Sequence, residues 1–119
     1  MATIEETLQD LMTLDGAMGG CIVDYMSGML LGSVGSGVDL ELAAAGNSQV
    51  VKAKIATMKS LGIEGGIEDI LITLSNQLHI IRPTASHEDL FIYLVLDKTK
   101  ANLALARRKV KSVEDTIEV

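Results

Sequence analysis

The sequence predicts a single α+β domain in which helices cover both faces of a β-sheet. The first sign is a hairpin signal: Gly28 separates two strand-like runs, and glycine adopts the positive φ that hairpin turns often need. The second is a long alanine-rich stretch from about Asp39 to Leu61, which is typical of a helix. The third is the run Leu90–Leu96, which is apolar on both faces, as in strands with helices on either side.

The N-terminal segment predicts a helix followed by a strand pair. Thr3–Glu6 has the pattern of a capping box, with Thr3 as the N-cap and Glu6 as its partner. The pair Asp15-Gly16 is expected to end this helix. The predicted strands along the chain are Ala17–Asp24, Met29–Val34, Glu68–Ser75, Leu78–Pro83 and Leu90–Leu96.

Two more helices complete the predicted element order αββαβββα. The middle helix is expected to begin after Asp39 as its N-cap, because a short acidic side chain can accept a hydrogen bond from the first free amides. The last helix is expected to run from about residue 100 to residue 113, with Thr99 as its cap. In the third strand, Ile70, Ile72 and Leu74 share one face, because side chains alternate along a strand.

Composition limits the classes of function. The chain has 119 residues, which fits one domain spanning 1–119. Aromatic residues make up 3% and the net charge is −6, so neither base stacking nor phosphate contact with nucleic acid is expected. No apolar run approaches the roughly 20 residues of a membrane span, so membrane insertion is not expected either. The single cysteine, Cys21, excludes an internal disulfide and predicts a cytoplasmic protein.

No pattern in the sequence predicts catalysis. The glycine-rich stretches Gly16–Gly20 and Gly62–Gly66 lack the Lys-Ser/Thr ending of a phosphate-binding loop. His79 and His87 are poorly spaced for a metal site and have no clustered cysteines nearby. Cys21 is expected to be a small buried hydrophobe rather than a nucleophile. The chain is therefore expected not to be an enzyme and to bind no cofactor or metal.

Methionines cluster around the predicted hairpin. Met18, Met26 and Met29 are expected to fill the core. An adaptable contact surface is the alternative, because the flexible and polarizable thioether side chain suits both roles.

The middle helix has more apolar surface than one sheet can cover. Wound at about 100° per residue, it places Glu41, Ser48, Lys52 and Lys59 in one polar strip. A bulky apolar face beside this strip suits the sheet, and the opposite side is small or apolar, which predicts self-association through that side. The face toward the sheet is Leu40, Ala44, Val51, Ile55 and Met58, and the predicted interface on the helix is Leu42, Ala45, Gly46, Gln49, Ala53 and Ala56.

Basic residues are concentrated near the C-terminus. Six of the ten lysines and arginines lie within Lys98–Lys111. A charged, solvated helix face is one interpretation. A docking patch for an acidic partner, made by Arg107, Arg108 and Lys111, is the alternative.

The ordered set of elements resembles a Roadblock/LC7 domain, close to the bacterial stand-alone members of that family. The likeness extends over nearly the whole chain and depends on several segments in order rather than on one diagnostic motif. The segments that carry it are Asp15–Asp24, Ser27–Leu31, Ala43–Ala45, Ile80–Pro83, Phe91–Asp97 and Asn102–Arg107.

This resemblance implies a profilin-like, five-stranded antiparallel sheet in the order 2-1-5-4-3. The first and last helices would lie on one face and the long helix on the other. Members of the family dimerise through the long helices and the third strands, which adds Ile70, Ile72 and Leu74 to the expected interface. The resemblance singles out no arginine as catalytic, whether Arg82, Arg107 or Arg108.

The resemblance also implies a function. It predicts a homodimeric, non-catalytic regulator of a small Ras-like GTPase, including the GTPase-activating role. The alternative is a scaffold or adaptor dimer, in a signalling or motor-type complex, that leaves GTP hydrolysis unchanged. A small-molecule sensor or an enzyme is a third class, since the same fold can carry different functions, but nothing in the titratable residues supports catalysis.

Overall fold

Seven strands and three helices form the part of the chain that the computed structural model describes, residues 2–85 and 87–118. None of the helices in these residues is both long enough and apolar enough to cross a membrane. The helices are α1 (Ile4–Leu11), α2 (Leu40–Ser60) and α3 (Leu103–Glu114). The strands are β1 (Ala2–Thr3), β2 (Ala17–Asp24), β3 (Met29–Gly35), β4 (Ile70–Thr73), β5 (Gln77–Pro83), β6 (Leu90–Asp97) and β7 (Ile117–Glu118).

Five of the strands form one antiparallel sheet in the order β3-β2-β6-β5-β4. Counted over the five predicted strands, this is the order 2-1-5-4-3, so the expected topology is confirmed. The central strand β6 pairs with β2 on one side and with β5 on the other. The sheet ends at β3 on one edge and at β4 on the other.

The alternation of side chains in β6 divides the core into two layers. Leu90, Ile92, Leu94 and Leu96 are buried against α1 and α3. Phe91, Tyr93 and Val95 are buried on the opposite face, against α2. The sequence prediction of a central strand with helices on both sides is confirmed, and each helix buries an apolar face in one of these layers.

The first helix begins as predicted and ends earlier. The hydroxyl of Thr3 accepts from the amide of Glu6, and the Glu6 carboxylate accepts from the amide of Thr3, both at 3.1 Å. The helix ends at Leu11 rather than at Asp15-Gly16, because residues after Met12 form successive short turns. The pairing of β1 with β7 was not predicted, since each strand has two residues and gives no periodic signal.

The last helix is capped by a different residue from the one predicted. Asn102 is the N-cap of α3, and its side chain accepts from the amide of Leu105 at 3.1 Å. Thr99 instead donates to the Asp97 carboxylate through both its amide, at 2.9 Å, and its hydroxyl, at 2.7 Å. These bonds hold the chain in a turn, so the helix can start only after it.

The third predicted strand is shorter than expected. The run Glu68–Ser75 reduces to Ile70–Thr73 in the sheet. At its end, the amide of Leu74 donates to the carbonyl of Gln77 at 2.9 Å, which closes the turn into β5. At its start, the carbonyl of Glu68 accepts from Arg82 at 3.0 Å instead of joining the sheet.

The middle helix begins as predicted, with Asp39 as its N-cap. Ser48, however, does not lie in an exposed polar strip. It is 1% exposed and faces the sheet, where its hydroxyl donates to the carbonyl of Ala44 at 2.7 Å. A serine whose hydroxyl is satisfied within its own helix can be buried at little cost, which the helical winding alone does not reveal.

Candidate interaction surface

One side of α2 is open to solvent along its whole length. Leu42 is the more exposed of its two large apolar side chains, at 70% against 38% for Val50. The residues of this side are all exposed and all uncharged, whereas a solvent-facing helix surface normally carries charge. We call this side the α2 outer face, and it consists of Leu42, Ala45, Gly46, Gln49, Val50, Ala53, Ala56, Thr57 and Ser60.

The position of α2 leaves part of the sheet uncovered. The helix packs across β2 and β3, where Ala44 and Val51 are buried. On the same face of the sheet, Ile70 and Ile72 of β4 are only half-buried. Leu74, just after β4, is 43% exposed. An apolar strip at the β4 edge therefore lies open on the side of the sheet that carries α2.

The edge strand β4 adds backbone groups to this open region. It pairs with β5 and ends the sheet, so its outer N–H and C=O groups point away from the ladder. Its residues are Ile-Leu-Ile-Thr, without the charge or proline that commonly protects an edge strand from pairing. All the residues predicted for the dimer interface thus lie on α2 or beside this edge, and all are exposed or half-buried.

The β2–β3 hairpin extends the apolar surface beyond α2. Lys52 donates from its ammonium group to the carbonyl of Met26 at 3.1 Å, which fixes the turn beside the helix. Met26 and Met29 are 60% and 62% exposed, so the prediction that they fill the core is wrong. Met18 does pack against the core layer under α2. Met26 lies in the turn and Met29 opens β3, and both side chains are exposed rather than packed in either core layer.

A small polar cluster lies between α2 and the sheet. His79 bonds through Nε2 to the Gln77 amide oxygen at 2.8 Å, and its Nδ1 lies 2.9 Å from the Tyr93 hydroxyl. Burial lowers the pKa of His79 and raises the pKa of Tyr93 to about 12. Cys21 is buried as predicted, and burial raises its pKa to about 12, so its sulfur stays a neutral thiol.

Stability is expected to fall when the pH drops below about 6.5, the usual pKa of histidine. The folded chain holds His79 with a lowered pKa, so the unfolded chain binds more protons in this range and is favoured by acid. Urea unfolding at pH 7 and at pH 5 measures the effect. The variant His79→Gln should reduce this loss of stability, and an identical loss in the variant would show that other groups cause it.

The predicted basic docking patch is only partly free. Arg107 pairs with Asp69 through two contacts of 2.8 and 3.3 Å, which joins α3 to the segment before β4. Lys109, which was not predicted to take part, pairs with Asp10 at 2.8 Å. Arg108 and Lys111 are exposed on the outer side of α3.

A buried ion pair that sequence reasoning missed closes one end of the sheet. Arg82 of β5 and Glu114 of α3 meet at 2.6 Å, with side chains 10% and 5% exposed. Glu114 also accepts from the amide of Ala85 at 3.1 Å. Neither residue belongs to a recognisable motif, because the pair spans elements far apart in the sequence. The arrangement ties β5, α3 and the segments around Glu68 and Ala85 together.

Metal ligation has no support among residues 2–85 and 87–118, where no group of three or more His, Cys, Asp or Glu side chains is placed to hold an ion. His79 and His87 are both engaged elsewhere, since the Nε2 of His87 lies 2.8 Å from the carbonyl of Ile117.

Solved structures provide the comparison. A Roadblock/LC7 domain from Streptomyces avermitilis superposes with a TM-score of 0.82 at 10% identity, over 97% of this chain and 94% of the other. The gliding protein MglB from Thermus thermophilus gives a TM-score of 0.81 at 20% identity, over 94% and 83% of the two chains. MglB from Myxococcus xanthus gives 0.75 at 20% identity, over 92% and 83%.

Sequence comparison adds nothing to this, because no family model and no curated protein matches the chain. The likeness therefore concerns the backbone: the same layers, over nearly the full length of each protein. The strand order and the placement of the helices agree with what the sequence resemblance implied. The chain has the Roadblock/LC7 fold.

Proposed function

We propose that the chain is a homodimeric, non-catalytic regulator of a small Ras-like GTPase. The observation that carries the proposal is the uncharged α2 outer face, which lies open beside the unprotected β4 edge. The Roadblock/LC7 fold adds support, because the family resemblance implies both this mode of dimerisation and this class of partner.

The dimer forms by pairing two copies of the α2 outer face. Small residues such as Ala45, Gly46 and Ala53 let two helix backbones approach closely. The β4 strands of the two copies then lie side by side and extend the sheet, which satisfies their outer backbone groups. A two-fold axis brings the same residues together from both copies, as is usual in homodimers.

The dimer regulates its partner by binding one nucleotide state more tightly than the other. A ligand shifts a conformational equilibrium only as far as its affinities for the two states differ. The chain supplies contacts and holds the GTPase in one switch conformation, and it needs no reacting group of its own for this. We also propose that it acts in the cytoplasm, where the free thiol of Cys21 would remain reduced.

A nucleotide-dependent binding assay tests the proposal. The immobilised chain is incubated with a small Ras-like GTPase from the same organism, loaded either with GDP or with a non-hydrolysable GTP analogue. We expect the affinities to differ by about tenfold or more, the usual size of such coupling. Binding to neither form would contradict the proposed partner class.

The rate of GTP turnover by the same GTPase distinguishes an activating regulator from a scaffold that leaves GTP hydrolysis unchanged. An activating partner raises the turnover rate as the dimer is added, until the GTPase is saturated. If the dimer binds both nucleotide states with equal affinity and GTP turnover is unchanged at saturation, the proposal of a regulator is overturned. The scaffold or adaptor dimer would then be the remaining function. In that case the exposed Arg108 and Lys111 on α3 are the first positions to reverse in charge.

A further inference from the structure

A cavity of about 670 Å³ lies at the carboxyl-terminal end of α2. Its wall is apolar over most of its surface, which is the usual character of a binding pocket of this size. We call it the α2-end pocket, and its apolar wall consists of Tyr25, Ile55, Met58, Ile63, Ile67 and Pro83.

Backbone hydrogen bonds at the end of α2 fix one side of this pocket. Gly62 has a φ of +71°, which reverses the chain after the helix. Its amide donates to the carbonyl of Lys59 at 3.1 Å, and the amide of Ile63 donates to the carbonyl of Met58 at 2.9 Å. This pair of bonds is the Schellman motif, which brings the apolar residue after the glycine back onto the last turn. Ile63 and Met58 therefore form one continuous wall.

The opposite side is fixed by the buried ion pair. Arg82 donates to the carbonyl of Glu68 at 3.0 Å and bonds to Glu114 at 2.6 Å. Glu114 in turn accepts from the amide of Ala85, another residue that lines the pocket. The charge of Arg82 is thus compensated inside the protein, and the guanidinium serves to hold the wall.

Between the end of α2 and the Arg82–Glu114 ion pair, the pocket is bordered by glycine backbone without side chains. A Cβ added at Gly65 or at Gly66 would meet no atom within 4 Å. Within the described residues, no other backbone group bonds to the peptide groups of these two glycines. Their N–H and C=O groups are therefore open to a peptide backbone laid across the mouth of the pocket.

The surroundings of the pocket are acidic. Glu64 and Glu68 line it. The pKa of Tyr25, also in the wall, is raised first by burial and then by the nearby charges of Asp89, Glu88 and Asp24. Against these carboxylates, Lys59 is the cation that lines the pocket without a compensating partner among the described ion pairs. A ligand that has an apolar group with positive charges on either side of it would complement this site.

We propose that the α2-end pocket binds a short basic segment of a partner protein, which inserts one apolar side chain and places lysine or arginine over Glu64 and Glu68. The open backbone at Gly65 and Gly66 favours a peptide over a small molecule. None of the α2 residues that line the pocket (Ile55, Met58 and Lys59) belongs to the α2 outer face, so that face stays available for a second copy. This site stands independently of the proposed GTPase.

Fluorescence anisotropy with a labelled peptide tests the site on the chain alone. The probe is a peptide of about nine residues with Leu-Phe between two Lys-Arg pairs, a length suited to one extended segment. We expect it to bind saturably, whereas peptides with glutamate in place of the basic residues, or with Ser-Ser in place of Leu-Phe, do not bind. Absence of saturable binding by the first peptide would overturn the proposal.

Two variants locate the binding. The double change Glu64→Lys with Glu68→Lys should weaken binding about tenfold or more, because two attractive contacts become repulsive. Ile63→Ser should also weaken it, since Ile63 is half exposed in the wall and its loss does not disturb the core. The matched control is Glu5→Lys with Glu41→Lys, which changes the net charge equally at exposed positions away from the pocket. Equal losses of affinity in the two double variants would show that binding depends only on the net charge of the protein. That result would contradict a specific site at the pocket.

Amide signals of Gly65 and Gly66 in NMR spectra give an independent readout. They are expected to shift when the basic peptide is added and to stay unchanged when the chain alone is diluted. Shifts on dilution alone would mean that a second copy covers the pocket, and unchanged signals with bound peptide would place the peptide elsewhere. Either result would overturn the proposal.

Discussion

The variant Arg82→Ala is expected to lose about 3 kcal/mol of folding free energy, measured by urea unfolding at a fixed protein concentration. The substitution removes the cation from a pair whose side chains are 10% and 5% exposed. The carboxylate of Glu114 would then stay in a place that water hardly reaches, without the guanidinium that compensates its charge. The bond from Arg82 to the carbonyl of Glu68 is lost as well.

Lys109→Ala is the control. Lys109 also forms an ion pair, with Asp10 at 2.8 Å, but the two side chains are 30% and 47% exposed. Exposed pairs contribute about 0–1 kcal/mol, because water replaces the lost partner. Arg82→Ala should therefore cost far more than Lys109→Ala. Similar costs for the two variants would show that burial does not set the strength of the first pair.

The variant Ala53→Glu is expected to dissociate the proposed dimer. Ala53 lies in the α2 outer face, and a two-fold axis would bring both copies of the new carboxylate into one apolar interface. Burying such charges without partners costs several kcal/mol, so the dissociation constant should rise at least about a hundredfold. Sedimentation equilibrium over a range of concentrations measures the change.

Ala104→Glu provides the control for this variant. Ala104 is likewise an exposed helical alanine, on α3 and outside the α2 outer face. Its replacement should leave the dissociation constant unchanged. Both alanines are exposed within the monomer, so neither change should unfold the chain, and equal effects on assembly would contradict an interface on α2.

Local patterns in the sequence predicted the three helices and the five strands of the main sheet, but not β1 and β7. The capping residues Thr3 and Asp39 act on amides within three positions, so the chemistry is visible in a short window. The apolar residues on both faces of β6 predicted its central position, whereas the full strand order was implied by the family resemblance. Thr99 was predicted to cap the last helix, but its bonds to Asp97 hold it in a turn, and Asn102 is the N-cap instead.

The remaining features depend on contacts between distant parts of the chain. The Arg82–Glu114 pair joins residues 32 positions apart, and no short pattern marks it. The exposure of Met26 and Met29 follows from how the hairpin turn is fixed against α2 by Lys52. The α2-end pocket combines the end of α2, the loop after it, the end of β5 with the residues that follow, and the β2–β3 turn. Side-chain type alone therefore predicted the α2 outer face but neither the pocket nor the buried ion pair.

Multi-angle light scattering of the unmodified chain, at tens of micromolar and without any partner, tests the central claim most directly. The proposed functional unit is the dimer formed through the α2 outer face. The measured molar mass should therefore be that of a single species of twice the 12.7 kDa monomer. A monodisperse monomer at this concentration would contradict it.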